Sequence, residues 1–198
     1  AMPDVHEGYG SPVGGIAATA AREDGIISPG MIGYDINCGV RLLRSALAHD
    51  ELKPKLGLLA SSIFREVPSG VGRGGRLRLT DAELDLVLVG GAGRMAELGH
   101  GDAGDLAHLE SSGRLEGADP SLVSAVAKKR GHDQLGTMGA GNHFIEVQRV
   151  DEIFYPEAAA KLSLRKGQVT VMIHTGSRGL GHQIGTDALR ALAGAAQR

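Results

Sequence analysis

The sequence predicts an α+β fold, with mixed sheets and flanking helices. Three observations lead there. Val169-Thr170-Val171-Met172-Ile173 is a short, mostly β-branched apolar run, the pattern of a strand buried on both faces. Leu52, Leu56, Leu59 and Ile63 recur at helical spacing, and further helical stretches follow at 80–98, 156–162 and 184–196. The 31 glycines follow no collagen or linker period; they gather beside polar residues in loops such as Gly30-Gly33-Gly39, Gly136-Gly139-Gly141 and Gly176-Gly179-Gly181. Glycine lets backbone approach a ligand closely, and ligand-binding residues favour loops held by rigid elements.

At 198 residues the chain is long enough for one sizeable domain with a core. With 42% hydrophobic and 22% charged residues it reads as soluble and globular. A net charge of -2 supplies no global basic field, so any nucleic-acid contact is local. Aromatics are 3%, with no tryptophan, which leaves few platforms for base stacking. One cysteine excludes an internal disulfide and fits a reducing compartment. No apolar run approaches the roughly 18 residues of a membrane span. The start, Ala1-Met2-Pro3-Asp4, lacks the basic and apolar regions of a signal peptide. The expected location is cytoplasmic.

In chain order, His6 to Gly15 is a glycine-rich loop feeding a short buried strand at 16–20. Asp24-Gly25 and Pro29-Gly30 are turns. Val40 to Arg44 is a strand, and 49–63 a helix. Pro68 to Gly75 is a loop in which Arg73, with Arg76 just beyond, either touches phosphate or stands in solvent. Thr80-Asp81-Ala82-Glu83 is a capping box, which satisfies the free amides of a first helical turn. That helix runs to Gly90-Gly91, and a second spans 92–98. A third starts at Asp119-Pro120 and ends in Lys128-Lys129-Arg130-Gly131, with cations where the helix dipole prefers them and a glycine stop. The basic triplet reads as this cap or as a nucleic-acid patch. Phe144 to Val147 is a strand, 156–162 a helix, 169–173 the buried strand, and 184–196 the last helix. The chain begins in a motif loop and stops in a helix, so 1–198 reads as a single partial domain, a piece of a larger one.

The chemistry gathers at four residues. Asp35 and Cys38 share the glycine-bracketed turn Gly33-Tyr34-Asp35-Ile36-Asn37-Cys38-Gly39, offering a hard and a soft ligand from one place. His143 follows a glycine loop and precedes a strand; His174 ends a strand and precedes a glycine loop. Together they supply one oxygen, one sulfur and two imidazole ligands, enough to begin one or two metal sites in a central cleft. By ligand type alone, thiolate plus imidazole suits zinc. Gly136 to Asn142 reads either as an anion-binding nest or as a tight turn. Arg178, between Ser177 and Gly179, suits bidentate contact with phosphate. Neither stretch is a Walker A loop or a dinucleotide fingerprint. His6 and His182 lie in glycine-rich loops and are read as orienting a ligand or meeting phosphate; His49, His100, His108 and His132 are read as surface residues.

These residues sit in longer motifs: Met2-Pro3-Asp4-Val5-His6 with Gly8-Tyr9-Gly10, Ser28-Pro29-Gly30 through Gly39, Gln134-Leu135-Gly136-Thr137 with Gly141-Asn142-His143-Phe144, and Ile173-His174-Thr175-Gly176-Ser177-Arg178-Gly179-Leu180-Gly181-His182. In order and content they resemble the RtcB RNA ligase family over nearly the whole chain. The resemblance implies an RtcB-like fold. It also implies an enzyme that joins RNA ending in a 2′,3′-cyclic phosphate or 3′-phosphate to RNA with a 5′-hydroxyl, using GTP and two manganese ions. A guanylylated histidine passes GMP to the RNA 3′-phosphate, and the 5′-hydroxyl expels it. Manganese then replaces zinc as the expected metal. By motif, Cys38 would bridge two ions, with Asp35, His143 and His174 as further ligands. Asn142 and Arg178 would hold phosphate of GTP or RNA, and Asp4 and His6 would support the site. RNA, such as tRNA halves or broken ends, is the implied partner, with a protein activator as a further one. The family's guanylylated histidine lies in a His-Gly-rich motif that no histidine here matches. These 198 residues are therefore expected to lack that catalytic group and to be inactive alone. Two other readings stand beside this one: a metal-dependent phosphoesterase that activates water, and a non-catalytic RNA-binding module.

Overall fold

The computed structural model describes residues 5–8, 11–22, 25–26, 28–33 and 35–196. Its strands are β1 (Gly39–Ala48), β2 (Phe144–Arg149) and β3 (Gln168–Thr175). Its α-helices are α1 (His49–Leu52), α2 (Leu56–Glu66), α3 (Asp81–Glu97), α4 (Ala103–Leu106), α5 (Ala125–Gly131), α6 (Pro156–Lys161) and α7 (Arg178–Ala196). The architecture is α+β. The strands form one sheet in the order β1-β3-β2, and both pairings are antiparallel. Among the described residues the mixed sheets expected from sequence reduce to this one antiparallel sheet, with a lone parallel bridge between Ser69 and Met138.

β3 is the middle strand, and its composition explains why. Val169 and Thr170 are buried, and Gln168 is buried with both ends of its amide used. Its Nε2 donates to the Ser45 carbonyl at 2.7 Å and its Oε1 accepts from the Arg165 amide at 3.0 Å. A buried amide is tolerated only when paired in this way. β1, at the sheet edge, leaves Val40, Leu42, Leu43 and Leu47 exposed.

α3 starts where the capping box predicts. Thr80 Oγ1 accepts from the Glu83 amide, and the Glu83 carboxylate accepts from the Thr80 amide at 2.8 Å. Gly91 (φ 58°, ψ -144°) then kinks the helix, the break the sequence places there. Leu84 and Val87 from α3 bury with Leu79, and Leu77, Leu88, Met95, Leu135 and Leu180 pack around them. Between this cluster and the sheet lies an apolar cavity of about 450 Å³, walled by Leu88 and Leu180 on one side and by Ile145 and Ile173 on the other.

Three expectations need correction. Residues 49–63 are not one helix: Lys53–Lys55, with Pro54 inside, is a 3-10 turn between α1 and α2. Residues 16–20 form no strand, and Ile16 is 74% exposed. One apolar stretch without a paired neighbour does not satisfy its backbone. The helix expected from Asp119 is split: Pro120–Leu122 is a single 3-10 turn, and α5 begins later, where the Ser124 hydroxyl accepts from the Ala127 amide at 3.2 Å. The stop at Gly131 is as predicted, because α7 lies against it. A side chain on Gly131 would meet Leu180 Cβ at 2.8 Å. The basic triplet divides: Lys128 pairs with Asp85 of α3 at 2.7 Å, and Arg130 turns towards α7. No helix among the described residues is long and apolar enough to cross a membrane.

Candidate metal centre

The sheet register gathers the ligands. Gly39 pairs with Thr175 and Val40 with His174, so Cys38, at the start of β1, arrives beside the end of β3. Phe144 pairs with His174 across the other edge, so His143, just before β2, arrives at the same end. Three separate segments therefore meet at one rim, with Cys38 more than a hundred residues from either histidine. The Asp35 turn is closed locally: the Cys38 amide donates to the Asp35 carbonyl at 3.0 Å, and Asn37 takes a left-handed φ of 62°.

Cys38 Sγ lies 3.1 Å from His174 Nε2 and 3.3 Å from His143 Nε2. Asp35 Oδ2 lies 2.7 Å from His143 Nε2. Donor atoms of Asp35, Cys38 and His143 all fall within 4.8 Å of one another, and His174 joins through the sulfur. The Asn142 amide faces the same cluster, 3.7 Å from Cys38 Sγ and 3.5 Å from His174 Nε2. His174 is buried (3% exposed) and meets the Phe144 ring edge-on at 5.3 Å.

Asp35 is held from behind. Its Oδ1 accepts from the Ser177 amide at 2.8 Å and from the Ser177 hydroxyl at 3.1 Å. Its Oδ2 is buried with no hydrogen-bond partner, aimed at the His143 ring. A buried carboxylate oxygen without a hydrogen bond is costly. A divalent cation among this oxygen, the thiolate and the two imidazoles would satisfy it. Donors sharing an ion with bonds of about 2.0–2.3 Å sit about 3.3–3.6 Å apart. The sulfur–nitrogen spacings are within a few tenths of an ångström of that. The residues fit a soft-tolerant divalent metal.

Close backbone approach makes the cluster possible. A Cβ on Gly176 would lie 2.3 Å from Asp35 Oδ2, and one on Gly139 would lie 1.9 Å from His143 Nδ1. Burial holds the His143 imidazole below its ordinary range; Asp35 opposes this, and His174 and Arg178 add to it. The ring is thereby kept neutral near pH 7, the state a ligand needs.

Two clefts flank the cluster, and Asp35 and Asn142 wall both. One, about 420 Å³, is lined by His6, Glu7, Gly8, Cys38 and Gly33, so His6 does face the site. The other, about 620 Å³, is lined by His143, Arg178, Lys129, Arg130 and His182 with the glycine loops at 70–72 and 139–140. Arg178 takes a left-handed φ of 54° and donates through Nη2 to the Gly70 carbonyl at 2.9 Å, while its buried Nη1 has no hydrogen-bond partner. Arg178 thus faces the second cleft rather than bonding the cluster. Asp4 lies outside the described residues. His182, His100 and His108 are exposed, whereas His49 and His132 are half-buried. Sequence reasoning passed over Ser177 and Gly176 as site-builders. Their partner Asp35 is more than 140 residues away, so nothing local signals it.

The whole chain, residues 1–198, matches the family model described as tRNA-splicing ligase RtcB. It is 56% identical over 189 residues to the tRNA-splicing ligase RtcB of Thermococcus kodakarensis, covering 96% of this chain and 39% of that protein. The protein of the same name from Archaeoglobus fulgidus is 56% identical over 191 residues, again 96% and 39%. The RNA-splicing ligase RtcB of Mycobacterium tuberculosis is 53% identical over 192 residues, 96% of this chain and 44% of the relative. The chain thus spans about two fifths of the length of these relatives. By sequence along its full length, this chain belongs to the RtcB family.

Proposed function

We propose that these residues form the metal-binding part of an RNA ligase centre. The enzyme would join 2′,3′-cyclic phosphate or 3′-phosphate RNA ends to 5′-hydroxyl ends, using GTP and two manganese ions. The observation that carries the reading is Cys38 Sγ lying within 3.3 Å of both His143 Nε2 and His174 Nε2, with Asp35 beside His143. A sulfur between two imidazoles would suit a ligand shared by two ions. When bound, such ions neutralise charge on a transferring phosphoryl group and polarise its oxygens.

In this reading Cys38, Asp35, His143 and His174 would hold the metal, with the Cys38 thiolate as the ligand offered to both ions. Asn142 orients phosphate of GTP or of the RNA 3′ end, and Arg178 grips it from the second cleft. His6, and Asp4 before it, support the first cleft. The chemistry runs through GMP transfer from a guanylylated histidine to the RNA 3′-phosphate, giving RNA-3′-pp-5′-G, and then attack by the 5′-hydroxyl with loss of GMP. By the resemblance, none of the eight histidines of this sequence matches the motif of that acceptor. Taken alone, residues 1–198 act as a partial domain of the RtcB-like fold that binds metal but does not ligate. The setting is cytoplasmic, with RNA as substrate and a protein activator as a further partner.

A cobalt(II) titration of the chain beside Cys38→Ala tests the site. A sulfur-to-cobalt charge-transfer band in the parent that is lost in the variant supports it, and its saturation point reads one ion or two. No band in a folded sample overturns it. Ligation of 3′-phosphate to 5′-hydroxyl RNA by the full-length protein, dependent on GTP and lost in Cys38→Ala, tests the reaction. Release of phosphate from a simple ester without need of GTP would instead identify a phosphoesterase, and RNA binding with no turnover a binding module.

A further inference from the structure

The turn at the start of α7 touches both sides of the metal cluster. Arg178 has a left-handed backbone there (φ 54°), which a non-glycine residue keeps only where its surroundings impose it. A hydrogen bond from each neighbouring residue's amide imposes it. The Ser177 amide donates to Asp35 Oδ1 at 2.8 Å, and the Gly179 amide donates to Gln134 Oε1 at 2.9 Å. The first bond reaches a residue of the cluster. The second reaches a side chain just beyond the end of α5. The seat is close: a Cβ on Gly179 would lie 2.9 Å from Gln134 Oε1 and 3.1 Å from the Arg130 carbonyl oxygen. Gln134 is itself held, since its amide donates to the Gly131 carbonyl at 3.0 Å and its carbonyl accepts from the Thr137 hydroxyl at 2.6 Å.

From this turn the contacts run on to the other side of the cluster. Arg178 Nη2 donates to the Gly70 carbonyl at 2.9 Å and to the Arg73 carbonyl at 3.4 Å. The Gly70 amide donates to the Met138 and Gly139 carbonyls at 3.2 and 3.1 Å. Gly139 backs directly onto the His143 ring, where an added Cβ would lie 1.9 Å from Nδ1. His143 Nε2 then closes on Asp35 Oδ2 at 2.7 Å. The contacts form a ring that contains two of the four ligand residues and fixes their separation. Gln134 stands outside the ring and anchors it at Gly179.

We propose that Gln134 is a positioning residue for the metal cluster: by fixing the left-handed turn at Arg178 it keeps the Ser177 amide on Asp35 and the 70–73 loop on the backbone behind His143. This rests on the reading above that Asp35, Cys38, His143 and His174 hold a metal. Gln134 is not a ligand; it acts through the turn.

The test combines cobalt(II) affinity, read from the sulfur-to-cobalt band, with amide hydrogen exchange in the full-length protein. Gln134→Met has a similar length but no acceptor oxygen. It should weaken cobalt binding about three- to tenfold, a loss on the scale of one hydrogen bond that supports a ligand at one remove. The Ser177, Gly179 and Gly70 amides should exchange several-fold faster in it, because the turn and the loop are released together. Gln134→Glu keeps an acceptor for the Gly179 amide, and a carboxylate suits the first turn of α7, so it should bind cobalt no more weakly than the parent. Thr80→Ala removes a cap on α3, away from the cluster, and should leave cobalt affinity unchanged, which separates positioning from a general loss of stability. Parent-like affinity and Ser177 exchange in Gln134→Met overturn the positioning role. So does an equal loss of affinity in Gln134→Glu or in Thr80→Ala. The absence of a cobalt band in the folded parent overturns the metal reading itself, and this role with it.

Discussion

Gly176→Ala is the most exacting single test of the cluster. The glycine is not among those with a left-handed φ, so alanine is admissible to the backbone, and the cost comes from contact alone. The added Cβ would sit 2.3 Å from Asp35 Oδ2 and 2.5 Å from both Cγ and Oδ1. Ordinary contact begins near 3.4 Å, so the carboxylate must retreat by about 1 Å. That retreat breaks its approach to His143 at 2.7 Å and strains the bond from the Ser177 amide at 2.8 Å. A hydrogen bond to a charged group contributes about 1.5–3 kcal/mol, and displacing a ligand or its support typically costs about 10–100-fold in metal affinity. The expected result is a loss of cobalt affinity in that range, with the sulfur-to-cobalt band weakened but present, since Cys38 is untouched. The control is Gly57→Ala in α2, where an added Cβ meets nothing within 4 Å and alanine favours helix. It should bind metal as the parent does and melt no lower. Equal metal affinity for Gly176→Ala and Gly57→Ala would refute the placement of Asp35 against the cluster.

Other outcomes follow from the same structure. Leu84→Ala, removing a side chain that is 2% exposed at the centre of the core, should destabilise by about 2–5 kcal/mol in urea unfolding. Thr80→Ala removes the acceptor for the Glu83 amide at the start of α3 and should lower Tm by about 2–4 °C. The metal-free chain should lose stability as pH falls. Burial holds the His143 imidazole below the ordinary histidine value of about 6.5, so its contribution is complete above about that pH and is lost as pH drops through the lower folded value, because the unfolded ring takes the proton first. Urea melts of the parent and of His143→Gln between pH 7.5 and pH 5 should show the parent's slope flattened in the variant. Residues 1–198 alone should self-associate with rising concentration through β1, whose Leu42 and Leu43 are each 49% exposed on an edge strand; sedimentation velocity would show it, and Leu42→Lys should reduce it.

The sequence by itself determined the local devices. The Thr80–Glu83 box, the break at Gly91 and the strand over 169–173 are all legible from neighbours within a few residues. The Asp35-to-Cys38 turn is equally local. Motif content also sufficed to identify the family. What only the tertiary structure decided is convergence. His143 and His174 share a rim because β2 and β3 pair in a register that sets Phe144 against His174, and Cys38 joins them because β1 pairs Val40 with the same residue. Register is a long-range choice made by packing of the sheet, and no periodicity in a single strand reveals it. The roles of Ser177 and Gly176 follow from that choice, since each acts on Asp35 only after β1 and β3 have paired. The same reason explains the misreadings. Residues 16–20 have a strand's apolar composition but form no strand, and α5 is capped by Ser124 rather than Asp119 because the Ser124 hydroxyl is engaged twice, by the Ala127 amide and by Asp187 of α7. The orientation of Arg130 is decided there too: one of three adjacent cations in sequence, it meets Gln183 only because α7 docks on α5.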